Sequence, residues 1–495
     1  MKLAILAVIA AGCAGRATPP GAPDQVPDGA LPDFAAARWV PARPLYVLAS
    51  HRLDDAQRAA RDAIELTAAV TGVELGDAVG VSSGLFGVDV LHADPLAAIG
   101  VDVRGSWALF GEVDPTLVVH LAAPAQMVAF LERQRTRGLI TRSVRVDGSE
   151  VVSAALPIGR TVSWAIDGEW MWVHVALTDT SDDAGRWFTA SHGRHAADWT
   201  GNWTWAQRAA GAAASVVGVI DPRGALAGAL GRVRDAAACA RLAGAIGRVA
   251  VAIQGDERHA TARVAIDVGS TERLRAMLLP APSGWEATAA HAPLAAQWNL
   301  DLVAARPYLA PCLAAAGAPV AQLDELGVRA ARGVLITFEP DALSGTGVVA
   351  LDVTSPAYFE HQLDRIPLRK HLERATAFGP YRGATIDIPF GPTIEYVLDR
   401  QVAIAALGEG LIARLVAPAA RPAVTPIAEL ALTPPAMSEQ AWAAVFELLD
   451  GKKSYGPPDR TLQRIIRHLM AWRDARVAVR AEGSEIVITA SGNRR

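Results

Sequence analysis

Lysine is almost absent from this chain: four residues (Lys2, Lys370, Lys452 and Lys453) stand against 43 arginines among the 47 basic positions. That skew, like the abundance of alanine, reflects composition and not a ligand. Charge of one sign is missing too, because 47 basic and 51 acidic residues leave a formal net charge of −4. Phosphate binding needs a concentrated basic face, so nucleic acid is excluded as the main partner. There is no HExxH and no paired CxxC, so no zinc site is expected, and a glycine loop or nucleotide fingerprint for a cofactor is missing as well. Beyond the N-terminus no stretch reaches about 18 uninterrupted apolar residues, the minimum for a spanning helix. Cysteine occurs three times, at Cys13, Cys239 and Cys312.

What is present is a globular composition, 51% hydrophobic and 20% charged over 495 residues. That is too long for one ordinary core, and two large domains are expected. The chain opens with a positive Lys2, a short apolar run from Leu3 to Ala10, and Ala11-Gly12-Cys13. A run this short suits a cleaved export signal and not a membrane span. It resembles the lipobox of bacterial lipoprotein precursors, departing from it at Ala10, where that family usually has leucine. The resemblance implies a signal peptide over 1–12 and diacylation of Cys13, the new N-terminus. Ala14, where an aspartate would retain the protein at the inner membrane, implies the outer membrane. Each buried methylene contributes about 0.8 kcal/mol, so several acyl chains make a stable anchor. Residues 13–40 form a tether rich in proline (Pro19, Pro20, Pro23, Pro27, Pro32), extended enough to hold the body off a bilayer.

The body is organised around a stretch that occurs twice. Leu156-Pro157-Ile158-Gly159-Arg160-Thr161 through Asp167 returns 232 residues later as Ile388-Pro389-Phe390-Gly391-Pro392-Thr393 through Asp399. Pro124-Ala125 with Leu131-Glu132-Arg133 returns in the same register as Pro356-Ala357 with Leu363-Asp364-Arg365. Two anchors in one register predict a tandem duplication, with repeat 1 over 41–283 and repeat 2 over 284–495. In each, strands and helices mix without strict βαβ alternation. The expected fold is α+β, with mainly antiparallel sheets and helices packed on one face. Within repeat 1 the periodicity predicts a helix over 54–70, a glycine-rich loop over 71–90, a short helix from Pro95 to Gly100, and a helix opened by Pro124. Strands are predicted over 107–111, 116–121, 143–146, 150–156, 161–166 and 170–175.

Several residues invite chemistry, and each has a plainer reading. Gly80-Val81-Ser82-Ser83-Gly84 fits the G-x-S-x-G nucleophile elbow, which needs a buried strand before the serine and a helix after it. Neither is evident around Ser82, which favours a flexible loop. His192 and His195 read as a solvated loop, and His120 and His174 as satisfied residues of apolar strands. Asp167 and Asp399, with Glu395, raise the idea of paired carboxylates, but both aspartates sit where turns favour them. Trp170 and Trp172 correspond to Val402 and Ile404 and read as core. Trp199, Trp203 and Trp205 lack such counterparts and are the expected exposed binding patch. With Cys13 acylated, Cys239 and Cys312 remain in an oxidising compartment and predict a disulfide across the repeat junction, worth roughly 4 kcal/mol; two separately buried thiols are the alternative.

The pattern of Pro95-Leu96-Ala97-Ala98-Ile99-Gly100 with Pro124, and Leu323 to Gly327 with Pro356, resembles uncharacterised duplicated envelope proteins of high-GC Gram-negative bacteria. That likeness implies no established activity. The expected role is a non-catalytic, lipid-anchored envelope protein with a binding or structural function, touching the membrane through its lipid and engaging a protein or other envelope component. The alternatives are a carrier or sensor of an apolar ligand between the repeats and, more remotely, a hydrolase using Ser82.

Overall fold

A computed structural model describes residues 35–41, 44–71, 75–111, 114–136, 141–155, 160–176, 216–221, 246–255, 258–279, 292–301, 328–330, 334–336, 347–353, 363–366, 368–389, 393–399, 402–416, 425–443 and 460–495. Short pieces between them are also described: 187–189, 192, 206, 208, 214, 289, 304, 360–361 and 391. Cys13, Cys239, Cys312, His195, Trp199, Trp203 and Trp205 lie outside the described residues, as do residues 1–12, the expected export signal, and most of 13–40, the expected tether.

The fold is α+β, and every ladder among the described residues is antiparallel. The first half supplies β1 (Tyr46–Ser50), β2 (Trp107–Gly111), β3 (Pro115–His120), β4 (Thr141–Val146), β5 (Ser149–Ala155), β6 (Thr161–Asp167), β7 (Trp170–Ala176), β8 (Val216–Ile220), β9 (Val249–Gly255) and β10 (His259–Asp267). The second supplies β11 (Leu294–Trp298), β12 (Val328–Ala330), β13 (Val334–Ile336), β14 (Gly347–Val353), β15 (Glu373–Phe378) and β16 (Tyr381–Asp387). It ends with β17 (Thr393–Leu398), β18 (Val402–Leu407), β19 (Ala428–Leu432), β20 (Trp472–Glu482) and β21 (Glu485–Arg494). A 15-stranded sheet runs β13-β11-β19-β20-β21-β10-β9-β8-β1-β2-β3-β7-β6-β5-β4, and a 6-stranded sheet runs β12-β14-β18-β17-β16-β15. The halves meet in the β10–β21 ladder, centred on Arg263 opposite Thr489.

The helices follow from apolar spacing. α1 (Leu53–Thr71), α3 (Ala93–Ala97) and α4 (Pro124–Thr136) cover one face of the first-half strands, where Leu53, Leu96, Ile99, Met127 and Phe130 pack on Leu121, Trp164 and Met171. The other face is not bare, contrary to the expectation of helices on one side. A 3-10 turn at Ala35–Trp39 and the segment holding Phe188 close it over Trp170 and Trp172. Successive residues of a strand point to opposite faces, so β7, covered on both, is apolar almost throughout. The turn that follows the short helix α3 ends on Gly100, whose φ of +93 suits glycine, and a Cβ there would stand 2.3 Å from the Ala123 carbonyl oxygen. That close approach seats the start of α4, because the Ala123 amide donates to the Gly100 carbonyl at 3.1 Å.

The glycine-rich excursion is not the expected loop. It contains helix α2 (Leu75–Phe86), which lies against α1. Later helices among the described residues include α5 (Glu272–Ala276), α6 (Arg369–Leu372), α7 (Leu411–Leu415) and α8 (Arg460–Met470). Ile466 on α8 is buried with Trp442 and Met437, and α8 also lies against α1 of the first half. Among the described residues no helix is long and apolar enough to cross a membrane.

Candidate functional site

Two polar constellations are built by the sheet ends. The first surrounds the β6–β7 turn. His120, Trp170 and Asp167 occupy paired positions on β3, β7 and β6, so their side chains emerge on one face. His120 Nδ1 bonds Asp102 Oδ2 at 2.9 Å, with Glu169 Oε2 at 3.5 Å from its Nε2. His192 Nε2 bonds Asp167 Oδ2 at 2.8 Å and stacks on Phe188 at 4.8 Å and on Trp39 at 6.2 Å. His192 is therefore packed into the aromatic cluster, where the sequence suggested a solvated loop. Deeper in, His174 Nδ1 meets Thr116 Oγ1 at 2.8 Å and the ring stacks on Trp187 at 4.9 Å. Burial lowers the His174 pKa, with the Asp114 carboxylate opposing. Trp170 and Trp172 are core, as expected.

The second constellation is an open cleft of about 780 Å³ on the second half, formed where β15, β16 and β17 meet α6. At its base Arg369, 12% exposed, is held by three partners. Its Nε donates to Glu373 Oε2 at 2.7 Å, Nη1 to Asp364 Oδ1 at 2.8 Å, and Nη2 to the Tyr396 hydroxyl at 2.9 Å. Burial, and then the bond to Glu373, push the Tyr396 phenol above its ordinary value. Ala384 and Leu398 supply apolar wall, and Glu360, Arg382 and Asp399 stand around them. Among the described residues Glu360 and Arg382 are exposed and have no ion-pair partner.

The remaining candidates separate. Ser82 lies inside α2, nearly buried, and its hydroxyl donates to the Val79 carbonyl at 3.0 Å; no strand-to-helix elbow exists there. Glu395 and Asp399 are not a catalytic pair. Both Glu395 oxygens accept backbone amides, from Gly410 at 2.6 Å and Ile412 at 3.1 Å, at the start of α7. No group of three or more metal-ligating side chains occurs among the described residues. One buried network escaped sequence reading. Glu429 accepts from Arg476 Nε and from Gln297 Nε2 (2.7 Å), and Asn299 Nδ2 donates to Gln297 Oε1 at 3.3 Å. The alternation of Gln297 and Asn299 in an otherwise apolar strand was its only trace.

No family model matches the chain, and no curated protein matches it. Among solved structures, crystal form III of TP0453 aligns over 47% of this chain and 79% of its own, with TM-score 0.27 and 8% identity. Crystal form I aligns over 48% and 79%, with TM-score 0.26 and 8% identity.

Proposed function

We propose that the protein is a tandem duplication with a non-catalytic binding or structural role, anchored to the cell envelope through a lipid on Cys13. One observation carries the duplication. Moving both members of a first-half strand pair by 232 returns a second-half pair. Thr116 lies opposite His174 and Val348 opposite Ala406; Val144 opposite Val151 and Thr376 opposite Gly383; Val151 opposite Ala165 and Gly383 opposite Val397. Register in a sheet is fixed by which face is buried, and a slip of one residue inverts every side chain. Unrelated halves have no reason to share it across four successive ladders, the fourth setting Trp164 opposite Val173 and Tyr396 opposite Ala405.

The ionisable groups favour a binding or structural role over catalysis, because Arg369, Glu395, Glu429 and His120 are each held by neighbours. The Ser82 bond within its helix speaks against the hydrolase alternative. The carrier alternative needs an apolar pocket between the repeats, whereas the cleft on the second half is lined mainly by charged side chains. The anchor rests on Ala11-Gly12-Cys13, and its test is metabolic labelling with an alkynyl fatty acid in a Gram-negative host. The full chain should take up label and fractionate with membranes, and Cys13→Ser should do neither. Equal labelling of both would overturn the anchor.

A further inference from the structure

We infer that the Arg369–Tyr396 cleft binds a small zwitterion of the short-peptide type, its ammonium group on Glu360 and its carboxylate on Arg382. This extends the binding role proposed above. The argument starts from ladder positions displaced by 232. Where the first half has Val151, Val152 and Trp164, the second has Gly383, Ala384 and Tyr396. On the cleft face Val152 to Ala384 and Trp164 to Tyr396 remove volume, and Trp164 is itself packed core; Val151 and Gly383 lie on the opposite face, toward Val397 and Phe378. The second half thus carries the smaller pair of side chains on the face where the cleft lies.

The walls have changed in charge as well. Glu360 and Arg382 stand where the first half has the exposed Val128 and Glu150, and Glu373 where it has Thr141. Holding Arg369 at 12% exposure among two carboxylates and a phenol has a desolvation cost that an apolar filling avoids. The same displacement puts Arg369 and Asp364 where the first half has Arg137 and Glu132, so what is particular to the second half is Glu373 for Thr141 and Tyr396 for Trp164. A cleft of about 780 Å³ falls within the size range of small-molecule sites. Its base is preorganised, because Arg369 and Tyr396 are fixed by their mutual bonds before anything arrives. The two exposed charges of opposite sign, Glu360 and Arg382, line the same cleft as the apolar Ala384 and Leu398. That arrangement matches a ligand with charged ends and a short aliphatic body.

The test uses the full chain and tri-alanine, measured by calorimetry at low salt beside N-acetyl-tri-alanine and tri-alanine amide. Tri-alanine should bind saturably, and each blocked form should bind about tenfold more weakly. Glu360→Gln should erase the penalty for the acetyl group alone, and Arg382→Gln the penalty for the amide alone. Both side chains are exposed, so melting temperature should be unchanged in each variant. Lack of saturable binding below about 10 mM (about −2.7 kcal/mol at 25 °C), or penalties that survive both substitutions, would overturn the assignment. Fatty-acid labelling at Cys13 is indifferent to either result, so failure here and failure of the anchor are told apart.

Discussion

The Glu429–Arg476 pair offers a prediction in which burial decides the size and the asymmetry of the effect. The Glu429 side chain is 3% exposed, whereas that of Arg476 is 40% exposed. Removing the arginine strands a carboxylate that water does not reach, with Gln297 Nε2 as its remaining donor. Arg476→Met should therefore cost about 3–5 kcal/mol at neutral pH, the usual penalty for an uncompensated buried charge. Removing the acid is different, because the guanidinium left behind already touches solvent and can rehydrate. Glu429→Gln, which keeps one acceptor oxygen and loses the other, should cost only about 1–2 kcal/mol. Replacing both, as Glu429→Leu with Arg476→Met, leaves no charge to solvate and should lie within about 1 kcal/mol of the parent on the strand side. Gln297 then loses its acceptor, which keeps the double variant from gaining stability. Urea unfolding followed by circular dichroism measures all three, provided the slope is unchanged so that midpoints compare like transitions. An Arg476→Met cost no greater than that of Glu429→Gln would show that desolvation of the carboxylate is not what the pair offsets.

Gly100→Ala should destabilise by at least about 2 kcal/mol, since it combines a left-handed φ with a backbone clash at Ala123; a melting temperature within a degree of the parent refutes the close approach. Glu395→Ala should cost about 2–4 kcal/mol by leaving the Gly410 and Ile412 amides without an acceptor, and urea midpoints read this directly. His174, with its folded pKa held below the ordinary value of about 6.5, binds its proton more readily when unfolded. Its contribution is thus level above that value and falls as pH drops toward the lowered one. His174→Asn should flatten the loss of melting temperature between about pH 6.5 and 5, and an unaltered slope would refute the assignment.

The strands were legible where their side chains alternate or run apolar between turns. Thr161–Asp167 and Trp170–Ala176 form β6 and β7 close to the expected limits, and Pro124 opens α4. α2 was hidden by its own composition. Gly76, Gly80 and Gly84 each cost a helix about 1 kcal/mol relative to alanine, and packing against α1 overrode that preference. His192 was misread because its partners, Trp39 and Asp167, come from distant segments and leave no local trace. The cleft was missed for a different reason. The two stretches were compared for what they share, which is the turn and core residues. The differences at the same displacement, Trp164 against Tyr396 and Val152 against Ala384, carry the information about the site.

The junction of the halves gives a last prediction. An exposed strand edge invites association, and proteins blunt it with charge or cover it. β4 carries exposed Arg142 and Arg145, and β15 carries exposed Arg374. The β10 and β21 edges are apolar instead, with Val264 opposite Ile488 and Ala265 opposite Val487, both of the latter pair buried. Each half therefore covers the edge that the other leaves bare, and α8 against α1 adds a second contact. A protease site inserted between residues 283 and 284 and cut in the folded protein should leave two pieces that co-elute at micromolar concentration. Lys substituted at both Ala265 and Val487 should release them, because two like charges opposite each other in a buried ladder have nowhere to go. Pieces that separate on cleavage, before any substitution, would show that the β10–β21 ladder does not hold the halves together.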